Sequence, residues 1–519
     1  MGDLQPKLIS CLKSCDKNQI GKDVVAGIVV AIIALPLSIA LAIASGVTPE
    51  RGLYTAIFAG FVIALLGGSN VQISGPTAAF ATIVAGIVAK NGMEGLALAT
   101  ILAGVILVVM GLFRLGKLIK FIPFTITTGF TTGIAVTLII GQLKDFFGLS
   151  FNHSPIETLE KLKEAVICFK TLNPWAVLIG AIALTILIVW PKIKGVNKIP
   201  PSLIAVVVCA AIVKIFDMDV STIGTQFENI PSGLPAFSLP AFSPDTLKAI
   251  IPDAFTIAIL AAIESLLSCV VSDGMIGAKH NSNAELIGQG AGNIVSALFG
   301  GIPATGAIAR TAANVKNGGR TPIAAMVHAL VLLLVLVVLM PYAKLIPMPV
   351  IAAILFVVAY NMSEWREFVH LVKTSPKSDI LVLLATFVLT VVFDLVVAIL
   401  VGIVLAAVLF MSRMSEVAEV KRKESDDEKK EIFEISGALF FGSSDKLAEL
   451  GINEKTETVV LNLSSVSALD ASALNKLLHF IEKCEEENVE VIFENVAPQP
   501  MKLFKKSGVF EKIGAERFV

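Results

Sequence analysis

Nine apolar runs dominate the chain: residues 24–47, 52–66, 94–113, 175–190, 200–216, 323–341, 346–360, 378–393 and 395–412. Each approaches the ~20 residues with which an α-helix crosses the hydrocarbon of a bilayer. Inside hydrocarbon every backbone N–H and C=O needs a partner within the protein, so such a chain is restricted to a bundle of membrane-spanning helices. Composition agrees, with 55% of residues hydrophobic and 16% charged, against about 25% charged in soluble proteins. The first run is too long and too broken by small residues for a cleaved secretion signal, and it continues into the next.

Charge sets the orientation. Residues 1–414 carry 27 basic and 21 acidic side chains, about +6, and 415–519 carry 14 and 21, about −7. With about fourteen spans, two of them short, the basic clusters fall on one side. These are Lys7, Lys13, Lys17 and Lys22; Arg114, Lys117 and Lys120; Lys192, Lys194 and Lys198; Lys316 and Arg320; Arg366, Lys373 and Lys377; and Arg413, Lys421, Arg422 and Lys423. The mixed 144–170 loop and the acidic 217–245 loop fall on the other. That positive-inside pattern puts both termini in the cytoplasm. The acidic tail argues against a nucleic-acid partner.

The stretch "FVIALLGGSNVQISGPTAAF" (61–80) interrupts an apolar run with Gly, Ser, Asn, Gln and Pro. Ala64-Leu65-Leu66-Gly67-Gly68 returns as Ala297-Leu298-Phe299-Gly300-Gly301, again before a polar, Pro-containing break. The copies stand at the entries of the third and tenth spans, and an odd number of spans per half inverts the second half. Inverted repeats that meet at the midplane through broken helices are a transporter architecture. A helix that starts mid-membrane leaves about four N–H groups unpartnered, so its start must face a polar cavity or a ligand. Pro76 is expected in the first turn of one half-helix, where its missing N–H costs nothing, with Thr77 beside it. The other starts near Gly306-Ala307, Gly306 permitting close approach of a ligand. Two such ends, each worth about +0.5 charge, form an anion site that needs few charged side chains. Arg310, about one turn into the tenth helix, adds an intramembrane cation that either assists the anion or pairs with Glu264. In "AILAAIESLLSCVVSDG", Glu264 lies deep in the eighth span with no other acid comparably placed, so it is read as the group that takes up a coupling ion.

After the charged segment 415–430, strand-like "TETVVLNLSSVSALD" and helix-like "ASALNKLLHFIEKCEEEN" alternate over 431–519, which indicates a small α/β domain. Cys11, Cys15, Cys168, Cys209, Cys269 and Cys484 show no metal-ligand spacing and read as unpaired thiols of a reducing compartment. The histidines form no ligand pattern either. Neither a metal site nor a catalytic residue is expected, and the chain is not read as an enzyme.

"ALPLSIALAIASGVTPERGLYTAIFAGFV", "VQISGPTAAF" and "NIVSALFGGIPATGAIARTAANVKNGGRTPIA" resemble motifs of the sulfate permease (SulP) family of anion transporters, and "VVLNLSSVSALDASALNKLL" resembles its cytoplasmic STAS domain. The resemblance implies a polytopic α-helical membrane protein with about fourteen segments in a seven-plus-seven inverted repeat, half-helices at spans 3 and 10, and usually a homodimer. It divides residues 1–23 (cytoplasmic), 24–414 (transporter, core spans 1–4 and 8–11, gate spans 5–7 and 12–14), 415–430 (linker) and 431–519 (STAS). It carries the substrate site onto Gly75, Pro76, Thr77 and Ala78 and onto Gly306, Ala307, Ile308 and Arg310, with Gln72 donating an amide N–H. Side-chain volume around Ala78, Ala307 and Phe80 is expected to set cavity size.

In members thought to use sodium, an aspartate at the Glu264 position works with a hydroxyl on the tenth helix. Here that hydroxyl position is Ile308, Ser268 is retained, and a one-residue shift would bring in Thr305 or Thr311. Fewer oxygens favour a proton over sodium, with sodium the alternative, and no cofactor is expected. The implied function is proton-coupled symport of sulfate, bicarbonate or a C4-dicarboxylate by an elevator-like movement. An uncoupled channel or exchanger, and a membrane-anchored sensor, are the competing readings. The STAS-like turn reads Asp470-Ala471-Ser472-Ala473: Asp470 suits a helix N-cap, and Ser472 matches a phosphorylatable serine although Ala473 replaces the usual glycine. A cytoplasmic regulatory protein is the expected partner there. The lack of a targeting segment suggests a prokaryotic plasma (inner) membrane. Green fluorescent protein fused after Val519 is expected to fluoresce in cells and alkaline phosphatase at the same site to be inactive; the reverse would invert the topology.

Overall fold

The computed structural model describes residues 4–14, 16–117, 123–153, 155–193, 199–227, 231, 233–240, 244–393, 395–425, 427–453 and 455–519; Cys15, Lys120, Lys194 and Lys198 lie outside them. The chain divides into two compact units, Met1–Gly402 and Ile403–Val519.

In the first unit a short helix α1 (Lys7–Ser14) precedes the long apolar α2 (Lys17–Ala44). Helix α3 (Pro49–Tyr54), a π-helical turn (Thr55–Ala59) and α4 (Gly60–Leu66) run on from one another, with Pro49 supplying the fixed φ that suits a helix start. Strand β1 (Ser74–Gly75) leads to α5 (Ala78–Leu112). Gly92, at φ 67° and ψ −173°, breaks α5 into two helices, 78–91 and 93–112. Next come α6 (Phe124–Phe147), α7 (Thr158–Ile167), α8 (Pro174–Val189), α9 (Pro201–Ile215) and the one-turn α10 (Ile223–Gln226). The second half holds α11 (Pro244–Ile276), α12 (Ser282–Leu298), β2 (Thr305–Gly306), α13 (Ile308–Lys316), α14 (Ile323–Ala343), α15 (Met348–Met362), α16 (Trp365–Thr374), α17 (Lys377–Val392) and α18 (Leu395–Val417).

Among the described residues eight helices are long and apolar enough to cross a membrane, with shorter apolar helices at Pro201–Ile215 and Ile323–Val338. The figure is below the sequence count of about fourteen partly because α13 is only nine residues long and α5 counts once although Gly92 divides it. Helices α11 and α12 pack on α5, and α14 on α2, while α15 and α17 pack on α6, and α8 on α15. Large apolar side chains such as Val207, Leu334 and Leu400 point outward, as a lipid-facing surface requires.

The crossing of α5 and α12 is close because both helices present glycine. A Cβ on Gly104 would lie 2.6 Å from the Gly290 carbonyl oxygen, and one on Gly290 would lie 2.7 Å from Val108 Cγ2. Small residues at a helix crossing let backbones approach in a membrane, where lipid supplies little hydrophobic drive between helices.

The second unit begins inside α18. Its sheet runs β3 (Glu419–Lys423), β4 (Lys430–Leu439), β5 (Thr458–Leu469), β6 (Glu490–Glu494), with β3 antiparallel to β4 and the rest parallel. Helices α19 (Ala471–Glu486), α20 (Pro498–Lys506) and α21 (Val509–Ile513) complete it. Phe433, Leu461, Leu463, Leu477, Phe493 and Phe504 are central to its core. Asp470 Oδ1 accepts from Ala473 N at 2.9 Å, the N-cap expected of its position, and Oδ2 accepts from Phe441 N at 2.9 Å. Ser472 is exposed in the first turn of α19. The segment 415–430, expected as a linker, holds the last turn of α18 and strand β3. Lys423 of β3 pairs with Glu434 at 3.0 Å, and such charge on an edge strand discourages pairing with another sheet.

Replacing Gly290 by leucine is expected to destabilise the transmembrane unit by about 1–3 kcal/mol, the cost of overpacking, measured as an earlier loss of monodisperse protein on heating in detergent. Unchanged thermostability would mean that the α5–α12 crossing has slack.

Candidate functional site

The two chain breaks meet. Strands β1 and β2 pair antiparallel, Ser74 opposite Gly306 and Gly75 opposite Thr305, and Ala307 N donates to Ile73 O at 2.9 Å. A helix begins just after each strand: α5 at Ala78 with Thr77 as N-cap, and α13 at Ile308 with Ala307 as N-cap. Neither N-cap side chain accepts a bond from its own helix, so side chains leave the first-turn N–H groups open. Threonine is a usual cap. Here the Thr77 hydroxyl turns away and donates to Glu264 Oε2 at 2.9 Å. Pro76 is not in the first helical turn as expected; it stands before the N-cap, which is Thr77 in extended conformation.

Arg310 is 2% exposed. Its Nη2 donates to Pro76 O at 2.7 Å, while Nε and Nη1 have no partner. A Cβ on Gly75 would lie 2.8 Å from Nη1, so glycine there lets the guanidinium lie against the strand. Among the described residues no ion pair joins Arg310 to Glu264, which is only partly buried. Thr77 and Ala78 are buried, but Ala307 is half-buried and Ile308 is 40% exposed; the start of α13 therefore faces open space. Phe80 is 0% exposed and forms no wall of that space, contrary to expectation, because it points into packed protein.

Other expected ligands are engaged elsewhere. The Gln72 amide, expected to donate to substrate, gives Nε2 to Glu285 Oε1 at 2.7 Å and accepts at Oε1 from Cys269 Sγ at 3.2 Å. That amide also fills the space that a Cβ on Gly306 would take, so the close approach at Gly306 is by Gln72 and not by open space. Gly306 N donates to Ser265 Oγ at 3.1 Å, and Ser265 Oγ lies 2.6 Å from Thr305 Oγ1. Ser268 donates to Thr311 Oγ1 at 3.4 Å, which in turn accepts from Ile73 N at 3.0 Å. The hydroxyls of α11 and α13 thus brace the breaks.

Glu264 is not the solitary membrane carboxylate that the sequence implied. Glu285, 1% exposed in the first turn of α12, accepts at Oε2 from Gly68 N (2.8 Å) and Ser69 N (3.0 Å) and at Oε1 from Gln72 and from Gln289 Nε2 (2.9 Å). Asp23, 0% exposed, accepts from Arg320 N at 2.7 Å and Thr321 Oγ1 at 2.6 Å, tying α2 to the turn after α13. A signal for Glu285 was present: Glu285, Gln289 and Asn293 recur every four residues and so line one helix face. Asn293 serves the second break, donating to Ala304 O at 2.9 Å and accepting from Ala304 N at 2.8 Å. Among the described residues no group of His, Cys, Asp and Glu is arranged to hold a metal ion.

Comparison with known proteins matches this arrangement to a family. Residues 20–386 match the sulfate permease family and 420–518 the STAS domain. YvdB of Bacillus subtilis (strain 168), a protein named for sulfate transport, is 41% identical over 98% of this chain and 97% of its own. The bicarbonate transporter BicA of Picosynechococcus sp. (strain ATCC 27264 / PCC 7002 / PR-6) is 33% identical over 95% of this chain and 92% of its own. The solved structure of SLC26A9 superposes with a TM-score of 0.89 at 20% identity, over 99% of this chain and 91% of that one, and so shares the fold. The chain belongs to the sulfate permease family of anion transporters and ends in a STAS domain.

Proposed function

We propose that the protein is a proton-coupled symporter of a small anion bound between the starts of α5 and α13. The observation that carries this reading is Arg310: a guanidinium 2% exposed in a membrane span, with Nε and Nη1 unpartnered, beside two helix starts that no side chain caps. Unpaired buried donors are costly, and an anion in that space would satisfy both the guanidinium and the first-turn N–H groups. Gly75, Pro76, Thr77 and Ala78 contribute one side, and Gly306, Ala307, Ile308 and Arg310 the other. The names of YvdB and BicA point to sulfate and bicarbonate, and a C4-dicarboxylate fits the same chemistry.

Coupling falls to Glu264. With Arg310 charged and Glu264 ionised the empty site is neutral. A monovalent anion such as bicarbonate makes it −1 and a proton on Glu264 restores neutrality, while a divalent anion such as sulfate makes it −2 and the same proton halves the charge that is carried. A proton is favoured over sodium because Ser265, Ser268, Thr305 and Thr311 are bonded elsewhere and Ile308 has no oxygen, whereas sodium needs several oxygens at short range.

About fourteen spans follow if 78–91, 93–112 and α13 count separately. A core of spans 1–4 and 8–11 then moves against a gate of spans 5–7 and 12–14, a division that the packing of α12 and α11 on α5, and of α15 and α17 on α6, supports. Residues 1–23 and the STAS domain (431–519, preceded by 415–430) are cytoplasmic, the membrane is a bacterial inner membrane, and the protein works as a homodimer. Exposed Ser472 at the start of α19 is a phosphorylation site, where added negative charge suits a helix N-terminus, and a regulatory protein docks there.

In proteoliposomes, labelled sulfate, bicarbonate or fumarate is expected to accumulate under an inward proton gradient and not under a sodium gradient alone. Glu264→Gln is expected to remove the pH dependence; proton-driven accumulation that survives this change sinks the coupling assignment. Arg310→Gln is expected to raise KM at least ~10-fold, the scale of one lost charge-assisted bond, and an unchanged KM would remove Arg310 from the site.

A further inference from the structure

The β1–β2 ladder is two residue pairs long, too little to hold two half-helices in register by itself. The loops that lead into it are gripped by charged side chains of opposite sign. The loop before β1 presents N–H groups: Gly68 N and Ser69 N donate to Glu285 Oε2 at 2.8 and 3.0 Å. Gln72, closer to the strand, and Gln289 fill Oε1, and Gln289 Nε2 also reaches Ser74 Oγ of β1 at 3.2 Å. Four N–H donors on two oxygens suit an acceptor-only carboxylate.

The loop before β2 presents carbonyls. Arg51 Nη1 donates to Gly300 O at 2.8 Å. Thr55, a turn further along the same rod, accepts from Ile302 N at 2.8 Å while it donates to Arg51 O at 2.8 Å. Glu285 stands in the first turn of α12 and Arg51 in the short helix α3, so each grip comes from the helix that enters the break of the other half. The chain crosses over: α12 of the second half holds the first break, and α3 of the first half holds the second.

We propose that Glu285 and Arg51 are positioning residues, a pair of charge-inverted clamps that set the separation and alignment of the two half-helix starts. The proposal deepens the anion-site reading and rests on it for its meaning in transport. Glu285→Gln keeps the volume but replaces one acceptor oxygen with an NH2 group, so that either Gly68 and Ser69 lose their acceptor or Gln72 and Gln289 must turn their amides, which releases Ser74 from Gln289. The ladder end next to Gly75 then loosens, and substrate affinity falls before the turnover of bound substrate does. Arg51→Gln releases Gly300 in the same way from the opposite side, and Arg51→Lys, which still donates, recovers part of the effect.

Two measurements test this. In hydrogen–deuterium exchange of the full-length protein in nanodiscs, Glu285→Gln is expected to speed exchange at residues 67–75 about tenfold, the scale of one lost charge-assisted bond, with α15 (348–362) unchanged. Equal acceleration in both segments, or none in either, overturns the clamp and leaves Glu285 a general stabiliser. In proteoliposomes, with labelled sulfate and bicarbonate as probes, Glu285→Gln and Arg51→Gln are each expected to raise KM about tenfold with Vmax per folded protein within about twofold, and Arg51→Lys is expected to lie between. An unchanged KM in the folded fraction overturns it as well. If the wild-type protein takes up neither probe nor fumarate, the anion-transport reading fails, while the exchange measurement still decides the clamps.

Discussion

Inside hydrocarbon a backbone N–H that leaves the helical ladder must find a partner, and this constraint organises the transmembrane unit. The chain leaves the ladder at 67–77 and again at 299–307, and both times a short strand leads back into helix. The two-residue ladder, the Glu285 carboxylate, the Asn293 amide and the Thr55 hydroxyl each satisfy backbone groups that the breaks release. What they leave open are the first turns of α5 and α13. The loops of the breaks are therefore braced by side chains, and beside the two helix starts Arg310 keeps Nε and Nη1 unpartnered.

Few side chains carry the proposed site. Thr77 would ordinarily cap α5, and its turn toward Glu264 both uncovers the helix start and gives the carboxylate a donor. Arg310 is held through one nitrogen by the Pro76 carbonyl and keeps two more free. Glycine at position 75 is what allows the guanidinium to lie against the strand. The proposed anion site would select charge strongly and shape weakly, in keeping with relatives named for sulfate and for bicarbonate.

Much of this was legible in the residues. The repeated A-L-[LF]-G-G placed both breaks, and Gly75, Arg310 and Glu264 stood out as small or charged residues within apolar runs. Two readings missed their mark and one residue was overlooked because the tertiary surroundings that decide them lie far away in the sequence. Gln72 reads as a free amide until Glu285, 213 positions away, is seen to take it. Phe80 reads as a cavity wall until its burial is known. Glu285 itself went unread because α12 looks like an unremarkable mixture of small residues, and only the four-residue spacing of Glu285, Gln289 and Asn293 betrays a working face.

The sequence by itself determined the class of protein, the place of the two repeat-related helix breaks and the α/β character of the last hundred residues. These follow from hydropathy, periodicity and local backbone chemistry, which act over a few neighbouring positions. Only the tertiary structure decided which donor meets which acceptor. Thr77 serves Glu264, Ser268 serves Thr311, and Glu285 and Arg51 hold loops of opposite halves. Those pairings join residues tens to hundreds of positions apart, and a hydrogen bond depends on distances of tenths of an ångström that no local pattern encodes.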